Sequence, residues 1–273
     1  MEMHTITVNN DRAFFFALQK ANRSKNLTET IELKPGKYFA DADNIFLSIK
    51  KSITIKGLYD NAKATNLNCA FLIGADTTLI LENLTMNYFG EKSNTIALYD
   101  GAELYGNNII VDRTMDPNSN WDTIYCKDST ISLKNSEILT DPIRNICGIS
   151  LENSQLIAVN SNVNAPLFKN STVYLKDTLT SYSVVLKNHS NLSFINLAID
   201  STQNTEFSDF YIENQSTVNG VNLNFSKKDS FVDVIDSHFE NNNFVSGLEN
   251  VRWRFTDNST VIADGDEPFN DNL

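Results

Sequence analysis

The sequence predicts an all-β solenoid built from three short strands per coil, with one amphipathic α-helix near its N-terminal end. Three observations carry this. Apolar residues alternate with polar ones in short runs such as TLILEN, ISLKN and LSFIN, the period of a strand with one buried face. The runs end on Asn or Asp at Asn83, Asn107, Asn135, Asn160, Asp177, Asn196, Asn222 and Asp236. These are the non-glycine residues that best tolerate left-handed backbone, so each marks a sharp bend. Successive bends from Asn83 to Asn222 stand roughly 17 to 28 residues apart, the period of a solenoid.

In chain order, HTITV at residues 4 to 8 alternates like a short strand. Asn10-Asp11 then supplies a cap, and DRAFFFALQKAN sets Phe14, Ala17, Leu18 and Ala21 on one helical face, suited to docking on the protein's own core. TIELKPGKYF alternates at Ile31 and Leu33 and breaks at Pro35-Gly36, and SITIKG alternates at Ile53 and Ile55 before Gly57. From there the repeat takes over. Each bend is followed by another short stretch, such as LTM, SEIL, SNV, LAI or LNF. A second polar position precedes the alternating strand at Asp100, Asp128, Asn153, Asn170, Asn188 and Asn214. One coil is therefore strand, turn, strand, Asn bend, strand and variable loop. Strands this short persist only by pairing with the coils above and below, and Asn stacked on Asn would add amide hydrogen bonds.

Composition narrows the function classes. The 273 residues carry a formal net charge of −12, which excludes sequence-independent nucleic-acid binding because that needs a basic surface. No apolar stretch approaches the length of a membrane span. The first residues, MEMHTITVNNDR, lack the basic and apolar regions of a secretory signal. As read, the chain is expected in the cytoplasm, or at the surface or outside the cell if a signal has been removed. Cys69, Cys126 and Cys147 are too few and too odd in number for a disulfide framework. A single domain over 1–273 is expected, with strand and helix in 1–27, coils in 28–262 and an acidic tail in 263–273. The acidic, Pro-containing tail would keep the last coil from stacking on another molecule, so a monomer is expected.

The coil and its asparagine bends resemble the pectin-lyase-like superfamily of single-stranded right-handed parallel β-helices. Asn83, Asn107, Asn135, Asn160, Asn196 and Asn222 match the asparagine of that family's tight second turn, and Asp177 and Asp236 depart from it. The resemblance covers roughly residues 28 to 262, and the helix is similar to the family's N-terminal cap. It implies that a substrate would lie along the first strand of each coil. Fold analogy alone does not carry function.

Period-two alternation assigns the first-strand side chains. Ile96, Leu98, Ile124, Cys126, Ile149, Leu151, Val184, Leu186, Phe210 and Ile212 face inward. Ala97, Tyr125, Ser150, Leu167, Val185 and Tyr211 form one outward row, and Tyr99, Lys127, Glu152, Lys169, Lys187 and Glu213 a second. The second row reads as a ladder of opposite charges. Glu152 and Glu213 are about 14 Å apart at about 4.8 Å per coil, too far for a glycosidase pair at about 5–9.5 Å. The catalytic motifs of the family's polygalacturonases and pectate lyases are absent, and no catalytic residue is assigned.

The loops VDRTMDPNSNWD and TDPIRN are the region where a ligand is expected. They hold Asp112, Arg113, Asp116, Trp121, Asp122, Asp141 and Arg144, with Tyr125 and Lys127 beside them. Trp and Tyr can stack on a sugar ring. No resident cofactor is expected, but the carboxylates of Asp112, Asp116, Asp122 and Asp141 would suit calcium. The expected function is a non-catalytic binding or structural module, touching carbohydrate or a protein partner along the first-strand face. The alternative is a divergent polysaccharide lyase or glycoside hydrolase acting on an acidic polysaccharide. A weaker third reading is an acidic mimic of nucleic acid.

Overall fold

A computed structural model describes residues 4–24, 29–40, 44–90, 92–115, 120–141, 146–200, 208–245 and 247–270. The chain divides into two compact units, Met1–Asp141 and Pro142–Leu273. Each is made of parallel strands wound as a right-handed β-helix, and within each the strands pair into a smaller and a larger sheet. Among the described residues no helix is long and apolar enough to cross a membrane.

The first unit opens with His4–Val8, which pairs in parallel with Glu29–Leu33 and sets Ile6 beside Ile31. Between them lies α1, Asp11–Arg23. The Asn10 side-chain oxygen accepts the Ala13 N–H at 2.9 Å, satisfying one of the free donors at the helix start. Phe14, Ala17, Leu18 and Ala21 are buried, the face that their spacing predicts. Phe14 packs against Tyr38 and Phe39 with ring centroids 6.2 and 5.9 Å away. Behind the helix, Ile31, Ile55 and Leu81 form an inward row on successive strands, each fully buried.

The strand–bend–strand unit is one bent ribbon in several coils. Thr78–Met86 and Glu103–Asp112 in the first unit run through their corners, as do Thr172–Ser181, Asn191–Asp200 and Thr217–Phe225 in the second. The corner residue alone turns left-handed, at Asn83, Asn135, Asn160, Asp177, Asn196 and Asn222, with φ between 49° and 63°.

Two bends differ from expectation. In ELYGNN the left-handed residue is Asn108 (φ 52°), not Asn107. Asn107 pairs with Glu82 and Ile109 with Leu84, so register places Asn108 opposite Asn83. Asp236 (φ 48°) turns left-handed at the other corner, between Ser230–Ile235 and His238–Phe244. The second-turn residue of that coil is Asn243 (φ 76°).

Side-chain ladders run along these corners. Asn243 donates to Asn222 at 2.6 Å, Asn222 to Asn196 at 2.7 Å, and Asn196 to Asp177 at 2.6 Å. At the first turn, hydroxyls take over. The backbone N–H groups of Ser154, Ser171, Ser190 and Ser216 donate to the hydroxyls of Ser171, Ser190, Ser216 and Ser237 at 3.1 to 3.2 Å. Each of these hydroxyls returns its proton to a carbonyl two or three residues earlier in its own turn. Buried backbone polar groups are thereby paired where the strand ladders stop.

The contribution of the asparagine corner can be separated into two parts at Asn196. Asn196→Ala is expected to cost about 2–5 kcal/mol, from about 1–2 for left-handed backbone and about 0.5–1.5 for each of its two lost hydrogen bonds. Asn196→Gly keeps the backbone conformation and should cost clearly less. Equal losses for both variants in urea unfolding would remove the backbone part.

Candidate functional site

The inward first-strand row fills the core. Ile96, Leu98, Ile124 and Cys126 in the first unit are fully buried, as are Ile149, Leu151, Val184, Leu186, Phe210 and Ile212 in the second. Alternation therefore turns Tyr125 and Lys127 outward in the first unit, and Lys169, Lys187, Tyr211 and Glu213 in the second.

In the first unit, Arg113 does not reach a cleft. Its guanidinium is buried and donates to the Ser93 and Gly90 carbonyls at 2.7 and 2.8 Å, over the ring of Tyr88 at 5.5 Å. It pins backbone. The Asp112 carboxylate accepts from the Thr114 N–H and hydroxyl at 2.8 and 2.7 Å, closing its own turn. Tyr125 packs on Tyr99 with centroids 5.7 Å apart, and Trp121 is exposed. Lys127 flanks Tyr125 on the strand Ile124–Lys127, while Asp122 and Asp141 are half-buried. Asp116 and Arg144 lie outside the described residues. Among those described, no group of three or more His, Cys, Asp or Glu is placed to hold a metal ion.

The second unit concentrates more chemistry on its smaller sheet. Parallel register aligns Val185, Tyr211, Asp233 and Arg254 on successive strands, about 4.8 Å apart. Lys169 and Lys187 stand in register two positions along. The Tyr211 hydroxyl donates to Glu213 Oε2 at 2.7 Å, and Lys187 Nζ lies 2.9 Å from Glu213 Oε1 and 5.2 Å from the Tyr211 ring centre. Arg254 grips Asp233 with Nε and Nη2, both at 2.6 Å, and its guanidinium stacks on Phe231 at 5.3 Å. Asp233 is nearly buried and commits both oxygens to this fork. Nη1 of Arg254 makes no hydrogen bond among the described residues and is available to a ligand.

The two partners of the short Tyr211–Glu213 bond are pushed apart in acidity. Burial, then the hydrogen bond to Glu213, then the charges of Glu213 and Asp233, push the Tyr211 phenol up to about 12. For Glu213, burial favours the neutral form. The hydrogen bonds from Tyr211 and Lys187 and the lysine charge outweigh it and hold the carboxyl below the usual range. The pair is a neutral phenol beside a firmly ionised carboxylate, a donor and an acceptor with opposite roles. Lys169, Lys187 and Arg254 supply positive charge around them.

Asp233 and Arg254 were missing from the outward rows expected from sequence. The run VDVID was placed before a second-turn bend, whereas Asp236 is a first-turn residue and Phe231–Ile235 belongs to the first strand. Spacing carries the signal that separates the two corners. Asn153 and Asn160, Asn170 and Asp177, and Asp236 and Asn243 stand seven positions apart, all left-handed pairs.

No family model and no curated protein matches the chain. Solved structures do. An alginate lyase from Paenibacillus sp. str. FPU-7 matches with a TM-score of 0.52 and 10% identity, over 94% of this chain and 99% of that one. A pectate lyase matches with a TM-score of 0.41 and 11% identity, over 97% of this chain and 82% of that one. An alginate lyase of family PL6 matches with a TM-score of 0.40 and 10% identity, over 97% of this chain and 53% of that one. The chain has the single-stranded right-handed parallel β-helix fold, shared with this alginate lyase. The expectation of a non-catalytic binding or structural module is corrected here: an alginate lyase shares the fold over nearly the whole of both chains, which favours the alternative of a divergent lyase.

Proposed function

We propose that the chain is a divergent polysaccharide lyase that cleaves an acidic polysaccharide by β-elimination on the smaller sheet of its second unit. The observation that carries the reading is the Tyr211–Glu213 hydrogen bond, 2.7 Å long and flanked by Lys187. β-Elimination at a uronate needs a base for the proton next to the carboxylate, an acid for the leaving glycosidic oxygen, and positive charge on the carboxylate. Glu213 is the base. Tyr211, kept protonated by its surroundings, gives its proton to the departing oxygen as the carbon–oxygen bond breaks. The proton gathered by Glu213 then returns to the phenolate along the same hydrogen bond, restoring both groups. Arg254 Nη1 holds the uronate carboxylate, which makes the neighbouring carbon more acidic, and Lys169, four strands away in the same sheet, meets the charge of another unit of the polymer.

Glycoside hydrolysis fits less well. It requires one carboxyl with a raised pKa, whereas Glu213 is shifted downward and Asp233 is closed by Arg254. The shared fold of an alginate lyase supports the choice.

The test is incubation of the full chain with polymannuronate, polyguluronate and polygalacturonate, following the ultraviolet absorbance of the unsaturated uronate product. Absorbance growing with at least one polymer is expected. New reducing ends without that absorbance would make the enzyme a hydrolase, and no product from any of the three would overturn the reading.

A further inference from the structure

The larger sheet of the second unit carries a cavity of about 350 Å³ on its outer face, away from the Tyr211 row. Register defines its floor and wall. Tyr174, Ser193, Asn219 and Glu240 form one row on successive strands, and Ile195, Val221 and Asn242 form the next. Ile195 and Val221 are 40% and 42% exposed, unusual for aliphatic side chains standing together. The small side chains of Ser193 and Asn219 leave the hollow between the larger ends, Tyr174 and Glu240.

The polar groups in this hollow are uncommitted. Along the neighbouring corner every amide from Asn196 to Asn243 is paired. In the cavity, the side chains of Tyr174, Ser193, Asn219 and Asn242 make no hydrogen bond to the described protein. A hydroxyl, two amides and a phenol therefore face outward beside an aliphatic wall and an aromatic ring. A polar ring with hydroxyls on its rim and C–H groups on its face satisfies both sets. Glu240 is the ionisable group lining the cavity, apart from the phenol, and its Oε2 lies 3.7 Å from Nε2 of His238. A carboxylate on the ligand would be repelled, which excludes an acidic sugar, and the hydroxyl, amide and phenol groups suit the hydroxyls of a neutral one.

We infer that this cavity is a second saccharide site, holding one neutral pyranose unit of a glycan on a sheet different from that of the Tyr211 cluster. It stands independently of the lyase reading. A neutral site beside a polyuronate-cleaving one would suit a matrix of mixed acidic and neutral chains.

The test is saturation-transfer NMR on the full chain with cellohexaose and mannohexaose as neutral probes and hexagalacturonate as the charged one. Transfer to at least one neutral probe is expected. Asn219→Ala and Tyr174→Ala should each weaken it at least about fivefold, the loss of roughly one hydrogen bond or packing contact. Val221→Arg should block it by filling the hollow, while polyuronate cleavage by Val221→Arg stays at the wild-type rate. These side chains point outward, so circular dichroism should report folded variants. No transfer to either neutral probe, or transfer that survives Val221→Arg, would overturn the inference. Loss of polyuronate cleavage with neutral binding intact would count against the lyase reading alone.

Discussion

Tyr211→Phe is expected to lower kcat on a polyuronate by about 10²–10⁴-fold, the usual range for a removed general acid. The ring remains, so packing against Lys187 and the strand ladder should survive. KM should change little, because proton donation to the leaving oxygen is made in the transition state and not on binding. The pH profile should show the same chemistry. Glu213 stays ionised until pH falls below the ordinary carboxylate range, and Tyr211 stays protonated until about pH 12. Activity should therefore hold a broad plateau between those limits.

The stability linkage has matching signs. The contribution of the raised phenol is present below about pH 10 and fades as pH rises toward about 12. That of the depressed Glu213 carboxyl is present above the ordinary carboxylate range and fades as pH falls through its lowered value. Lys187→Met removes a charge and a hydrogen bond that favour ionised Glu213, so its acidic limb should move to higher pH. An unshifted limb, or a Tyr211→Phe enzyme with wild-type kcat, would remove the Tyr211–Glu213 pair from catalysis.

Much of the fold is legible in sequence because a solenoid repeats one short physical problem. Alternation found the inward first-strand residues, since a one-residue slip would place their side chains on the opposite face. The Asn10 cap and the Phe14 face were legible for the same reason: their signals are local. What failed were decisions that only register makes. Asn107 and Asn108 are chemically the same, and only the partner Asn83 on the coil below chooses between them. Asp236 followed the same bend code as Asp177, because both corners of the coil use left-handed Asn or Asp. Misplacing it hid Asp233 from the outward row, and with it the register that brings Arg254 to the charged cluster.

The site itself was less legible. Loops rich in Asp and Arg drew attention to residues 111–145, yet Arg113 turns inward to Tyr88, Gly90 and Ser93. Nothing in local sequence reveals that a loop arginine is consumed by backbone carbonyls. Conversely, Lys187 and Glu213 looked like a charge ladder, and so they are. Their chemical interest comes from Tyr211 donating into the same carboxylate.

Gly220 leads to the largest expected stability effect. Its Asn219-Gly220 pair suggests a bulge or a close backbone approach, but the ladder passes without interruption from Val218 to Val221. What approaches is a side chain. A Cβ built on Gly220 would lie 2.0 Å from Cζ of Phe194, which is 2% exposed and in register with it. Gly220 is thus absent volume, filled by a ring from the preceding coil. Phe194→Ala should cost about 3–5 kcal/mol by leaving a cavity, and Gly220→Ala about 1–3 kcal/mol by overpacking. The two should not add. Without the ring the new methyl meets no clash and occupies part of the void, so the double variant should be more stable than the summed single losses predict by about 0.5–3 kcal/mol. Urea unfolding of the four proteins measures this coupling directly. Because each coil contacts only its neighbours, the damage from Phe194→Ala should also stay local, with hydrogen exchange rising first in Thr172–Ser181, Asn191–Asp200 and Thr217–Phe225. Additive losses would mean that Gly220 is required for its backbone and not for the space it leaves.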